Sequence, residues 1–196
     1  MLLSDAAVGT PRGTRPLTTT VVALVGGCAL LVLRPPLLRA TSSPVLVLVA
    51  VFSCAGLVGA WWPLPSPQGR RAAGAGTSGL ALAVGVCGFG IGRLIGGGHS
   101  PASLTLHLVI LNSLAAVAEE AFFRRLCFDA LAPGGQVWAT GGSALLFAFV
   151  HLTTYGAWVL PIDVAAGLIF GWQRSMTGSW RVPAATHVIA NLFVVI

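Results

Sequence analysis

An all-α, polytopic transmembrane helical bundle with about seven transmembrane helices is the fold class this sequence predicts. Two observations carry it. Hydrophobic residues make up 56% of the 196 and charged residues 8%, with a mean hydropathy of +0.88, whereas a soluble domain carries about a quarter charged residues. Apolar runs close to the roughly 20 residues that cross a bilayer also recur between short Pro- and Gly-rich breaks.

The runs fall at about 17–33, 44–62, 78–97, 103–131, 137–153, 158–175 and 181–196. Arg12 and Arg15 precede the first, whose apolar core exceeds the 7–15 residues of a signal peptide, so an uncleaved helix is expected. Pro35-Pro36 stops it. Pro44 opens the second, and Trp61-Trp62 ends it at an interface. A polar Pro/Gly-rich loop with Arg70 and Arg71 leads to the third, where Gly85, Gly88, Gly90 and Gly92 would admit a close neighbour. Gly96-Gly97-Gly98 and Ser100-Pro101 precede the fourth. Pro133-Gly134-Gly135 separates the fourth from the fifth, Thr153 to Gly156 the fifth from the sixth, and Thr177-Gly178-Ser179 the sixth from the last.

Net charge is +6, and every basic residue is Arg. The arginines are spread over short loops, which reads as membrane orientation rather than a phosphate-binding patch, so no nucleic-acid partner is expected. Alternating helices with the N-terminus cytoplasmic puts Arg12, Arg15, Arg70, Arg71, Arg124, Arg125, Arg174 and Arg181 on or towards the cytoplasmic side, only Arg34 and Arg39 outside, and Arg93 within the third run. The Lys-free, Gly- and Ala-rich composition suggests a GC-rich bacterial genome and hence a bacterial cell membrane. Cys28, Cys54, Cys87 and Cys127 form no C-x-x-C pair, so neither a disulfide framework nor a structural zinc site is expected.

Against this apolar background Glu119-Glu120 stands out, in a chain with five acidic residues. An acidic side chain at the centre of a bilayer costs on the order of 3 kcal/mol, so something must answer the pair. Glu120 and Arg124 are four residues apart in the favourable order and can pair along the helix. Glu119 has Phe122 and Phe123 at the corresponding offsets and no intrahelical cation, which makes it the better proton acceptor and the candidate general base. At 1.5 Å per residue Glu119 lies roughly 20 Å from the Pro133 turn and His151 roughly 25 Å, so the two reach similar depth. His187 and Asn191 share one face of the last helix, roughly 12 and 18 Å from the Gly178 turn. The plainer alternative for each is a structural polar contact between helices. His99 and His107 lack partners of this kind and read as structural. Asp163, beside Pro161, reads as lining a cavity or pairing with an arginine, and Asp129 as a solvated helix end.

The ordered patterns E-E-x-x-x-R (Glu119, Glu120, Arg124), F-x-x-x-H (Phe147, His151) and H-x-x-x-N (His187, Asn191) resemble the CAAX protease and bacteriocin-processing family (CPBP, or Abi), which includes the Ras-converting-type prenyl-protein endopeptidases. The segment GLIFGWQRSMTGSWRVPAATHVIAN is similar as well, and the resemblance covers roughly the last 85 residues. It implies an intramembrane helical bundle in which Glu119 and His151 hold and activate a water, His187 and Asn191 stabilise the oxyanion, and Glu120 and Arg124 support the site. Arg125 stands where the family often has Gly, and would narrow or recharge the cavity mouth. The last helix is expected to be short. Two parts follow: residues 1–100, transmembrane helices without a recognisable motif, and residues 101–196, a CPBP-like catalytic core.

The expected function is an intramembrane endopeptidase acting on a peptide or membrane-protein substrate within the lipid bilayer. No cofactor is expected, with zinc kept open because two His and a Glu can make an open zinc site. A zinc-dependent protease of the same family is one rival. A non-catalytic immunity or scaffold protein is another, although all the polar motif residues are present. A proton-coupled transporter is a third, without the internal repeat such a fold carries. The sequence indicates no oligomeric state. In a bacterium, prenylated CAAX proteins would not be the natural substrates.

Overall fold

The computed structural model describes residues 17–64, 72–96 and 105–195, and every regular element among them is helical. Arg12, Arg15, Arg70, Arg71, His99 and the Gly97-Gly98 and Ser100-Pro101 turn lie outside the described residues. In chain order the elements are α1 Leu17–Val32, α2 Arg34–Arg39, α3 Pro44–Trp61, α4 Ala75–Ile95 and α5 Leu106–Glu120. A π-helical stretch, Ala121–Cys127, continues α5 into α6 Phe128–Leu131. After a 3-10 turn come α7 Gln136–Tyr155, a second such turn, α8 Leu160–Thr177 and α9 Arg181–Val195.

The expected count of about seven membrane helices is not met. Among the described residues four helices are long and apolar enough to cross a bilayer: Pro44–Trp61, Ala75–Ile95, the continuous Leu106–Gly134 and Gln136–Tyr155. Helices α1 and α9 have 16 and 15 residues, about 24 and 22 Å of rise, short of a hydrocarbon core of about 30 Å. Helix α8 has 18 residues, but Asp163, Gln173 and Arg174 dilute its apolar character. The chain is an integral, multi-pass membrane protein in which shorter helices pack among the spanning ones.

Helix α7 packs along α8, α5 lies against α3 and α9, and α4 covers α8 and α9, while α1 rests on α3 and α7. Two glycines set the closest approaches. At Gly167 an added Cβ would sit 2.8 Å from the Ala144 Cα, so α7 and α8 meet backbone to backbone. At Gly59 a Cβ would collide with the Ala121–Phe122 backbone, where the π-helical stretch begins. Of the α4 glycines, only Gly85 admits a neighbour closely, receiving Gln173 and Thr186; Gly88 and Gly90 have ordinary clearance and Gly92 faces open space.

The break after α1 follows from its prolines. Pro36 has no N–H to return to the Val32 carbonyl, and the Thr153 hydroxyl donates to that carbonyl instead, at 3.1 Å. The chain turns at Leu33, and Arg34 enters the bundle buried. The core is aromatic: Phe52, Phe122, Phe123, Phe147 and Phe170 are all almost fully buried, and Phe123, Phe147 and Phe170 meet edge to face in sequence. Edge-to-face contacts of this kind add about 0.5–1.5 kcal/mol each beyond burial.

Candidate active site

Both glutamates close α5 and are buried, and the backbone beyond them widens into the π-helical Ala121–Cys127. Such stretches contain an extra residue in the turn and occur often at functional sites. Glu120 and Arg124 are completely enclosed. The Arg124 Nη1 donates to Glu120 Oε1 at 3.2 Å, and Nε lies 3.2 Å from Oε2. Arg124 Nη2 donates to the Gly167 carbonyl at 3.1 Å. Its guanidinium lies over Phe147 and Phe170, at 4.6 and 5.1 Å. Glu120 also accepts from His187 Nδ1 at 2.9 Å, because a carboxylate only accepts and the ring nitrogen must carry the proton. His187 stacks on Phe170 with centroids 4.8 Å apart. Glu120 thus holds two cationic or donor groups in fixed positions.

Glu119 is arranged differently. Its Oε1 lies 3.7 Å from His151 Nε2 and 3.8 Å from Arg34 Nη1, and its Oε2 lies 4.0 Å from His187 Nε2. All three separations exceed hydrogen-bond length, so the carboxylate has neighbours around it without being locked to any of them. His151 Nδ1 is 2.7 Å from the Phe147 carbonyl, which only accepts, so Nδ1 holds the proton and Nε2 presents its lone pair to Glu119 in the neutral ring. Asp163 Oδ2 stands 3.8 Å from the same Nδ1, and Tyr155 stacks on the ring at 5.8 Å.

Glu119, Glu120, Arg124, His151 and His187 come together as one buried Glu/His network from three helical stretches. Asn191 lies one turn beyond His187 on α9, and its Nδ2 donates to the Asn112 carbonyl of α5 at 3.3 Å. Sequence reasoning missed Arg34, assigned to the outer face but buried beside Glu119. The available signal was an arginine set directly between an apolar run and Pro35-Pro36. Asp129 is not a solvated helix end: Arg174 Nη2 meets its Oδ1 at 2.7 Å, with both side chains largely buried. Arg125, expected at the cavity mouth, is engaged by the end of a neighbouring helix. It donates to the Gly59 and Trp62 carbonyls at 2.8 and 3.0 Å, closing the C-terminal end of α3. His107 is exposed.

A groove of about 520 Å³ runs between α4, α8 and α9, lined mainly by Phe89, Ile162, Ile169 and Phe193 with Arg93. None of the seven motif residues lines it. Among the described residues, no group of three or more His, Cys, Asp or Glu side chains is disposed to hold a metal ion. The four cysteines are free thiols.

In comparison with known families, residues 101–193 match the Rce1-like family, described as type II CAAX prenyl endopeptidase Rce1-like. No curated protein and no solved structure matches the chain.

Proposed function

We propose that this chain, whose residues 101–193 belong to the Rce1-like CAAX protease family, is an intramembrane endopeptidase that hydrolyses a peptide bond with a glutamate-activated water. The observation that carries the reading is the spacing around Glu119. Its Oε1 and the His151 Nε2 are both acceptors, 3.7 Å apart. A water beside them can donate one proton to each, which suits a nucleophile better than a direct bond between the two groups would.

In this reading Glu119 takes a proton from that water as the oxygen attacks the substrate carbonyl carbon. The tetrahedral oxyanion is met by His187 and Asn191. Asn191 uses one amide hydrogen on Asn112 and has a second to give. His187, held through Nδ1 by Glu120, donates from Nε2 when both ring nitrogens carry protons. On collapse Glu119 returns its proton to the leaving amine. Glu120 and Arg124 do not touch the reacting atoms; they orient His187 and fix the end of α5. A site removed from bulk water strengthens each of these hydrogen bonds.

Residues 101–196 would form the catalytic core and residues 1–100 the accompanying helices. The cytoplasmic N-terminus and the bacterial membrane remain part of this proposal, the second supported by the composition. The substrate would be a peptide or a segment of a membrane protein. Membrane proteins and released peptides from cells producing the wild type are to be compared with those from cells producing Glu119→Gln. New termini confined to the wild type are the expected result; identical termini in both would refute the protease reading.

A further inference from the structure

Each glutamate of the pair has an arginine, and the two arginines come from different parts of the chain. Arg124 is supplied by the same helical stretch and is paired with Glu120. Arg34 is supplied by α2, outside the matched segment 101–193. Burying a guanidinium without paired partners costs several kcal/mol, yet Arg34 is 7% exposed. Its surroundings account for this. Nη2 donates to Thr154 Oγ1 at 2.8 Å, the guanidinium lies over the Phe52 ring at 5.3 Å, and Nη1 faces Glu119 Oε1 at 3.8 Å. The planar fork is therefore oriented by α7 and α3 before it reaches the carboxylate.

The oxygen that Arg34 faces is the same Oε1 that lies 3.7 Å from His151 Nε2. Thr154 and His151 are three residues apart on α7. The arginine that meets Glu119 is thus anchored one turn from the histidine that must share its water. We propose that Arg34 is a positioning residue for the base, holding the Glu119 carboxylate in register with His151. The inference rests on the protease reading for its kinetic consequence, but not for the contact itself. It also means that residues 101–193 alone make an incomplete site, completed by the turn that Pro35-Pro36 imposes.

Two measurements on the full-length protein in detergent or liposomes test it. In the first, cleavage of a substrate peptide is followed for wild type, Arg34→Met, Arg34→Lys and Thr154→Val. Arg34→Met should lower kcat on the order of 10²-fold, the scale of a misplaced reacting group, with KM little changed. Added guanidinium should restore part of the rate to Arg34→Met, and not to Glu119→Gln. Arg34→Lys should retain more rate than Arg34→Met, and Thr154→Val should fall between wild type and Arg34→Met. A purely structural anchor would shift melting without guanidinium rescue, and that outcome overturns the proposal. So does full turnover in Arg34→Met while Glu119→Gln is inactive, which leaves the protease reading standing. The second measurement needs no turnover. The infrared carboxylate band that Glu119→Gln removes should shift in Arg34→Met, or in Arg34→Lys should the methionine variant not fold. An unshifted band overturns the proposal. A wild type without cleavage activity would instead end the protease reading, and the band would still decide the role of Arg34.

Discussion

Replacing Glu120 by glutamine should damage stability more than the same change at Glu119, although both should stop cleavage. Arg124 is fully enclosed, and Glu120 is its carboxylate partner, with two atom pairs at 3.2 Å. Removing one partner of a buried ion pair costs about 3–5 kcal/mol. Glutamine retains an oxygen able to accept one N–H, which favours the lower end, about 3 kcal/mol. For a chain of this length that corresponds to a melting shift of roughly 6–12 °C. Glu119 has no neighbour closer than 3.7 Å among its ion pairs. Its neutralisation breaks no hydrogen bond and leaves Arg34 its Thr154 and Phe52 contacts, so the loss should be about 1–2 kcal/mol, roughly 2–8 °C. Turnover should fall about 10²–10⁴-fold in Glu119→Gln through loss of the base. Melting in one detergent, followed by fluorescence, and cleavage of one peptide measure both quantities. Equal melting shifts, or near-normal turnover in Glu119→Gln, would refute the division of labour between the two carboxylates.

Arg125→Ala should leave the Gly59 and Trp62 carbonyls without their donor and lower stability by about 1.5–3 kcal/mol. Cleavage per folded molecule should stay near wild type, and a selective loss of turnover would show that Arg125 belongs to the site after all. Three candidate spans separate Ser42 from Gln136, so single cysteines at these exposed positions in Cys-free protein should label from opposite sides. An impermeant reagent in intact cells should therefore react at only one of the two, and reaction at both would refute the three-span separation. Cleavage should persist after prolonged treatment with membrane-permeable chelators; a loss reversed specifically by stoichiometric zinc would establish the metalloprotease rival.

The residues that carry the proposed chemistry were legible because their spacing is local. A glutamate and an arginine four residues apart meet on any helix, and His187 and Asn191 share a face for the same reason. Rise per residue was enough to place Glu119 and His151 at similar depth, and they stand 3.7 Å apart. Composition was enough for an all-α membrane protein. The number of crossing helices was not legible, because apolar runs of 15 or 16 residues look alike whether they span lipid or pack against other helices. The π-helical stretch after Glu120 carries no marker in its side chains; it depends on how Gly59 and the neighbouring helices close around it. The pairing of the arginines was least visible of all. From sequence Arg34 reads as an outer-face charge and Arg125 and Arg174 as charges on or towards the cytoplasmic side, yet they meet Glu119, the end of α3 and Asp129. A residue's partner along one helix is set by the helical repeat, whereas its partner across the bundle is set by tilt, depth and close approach, which exist only once all the helices have packed.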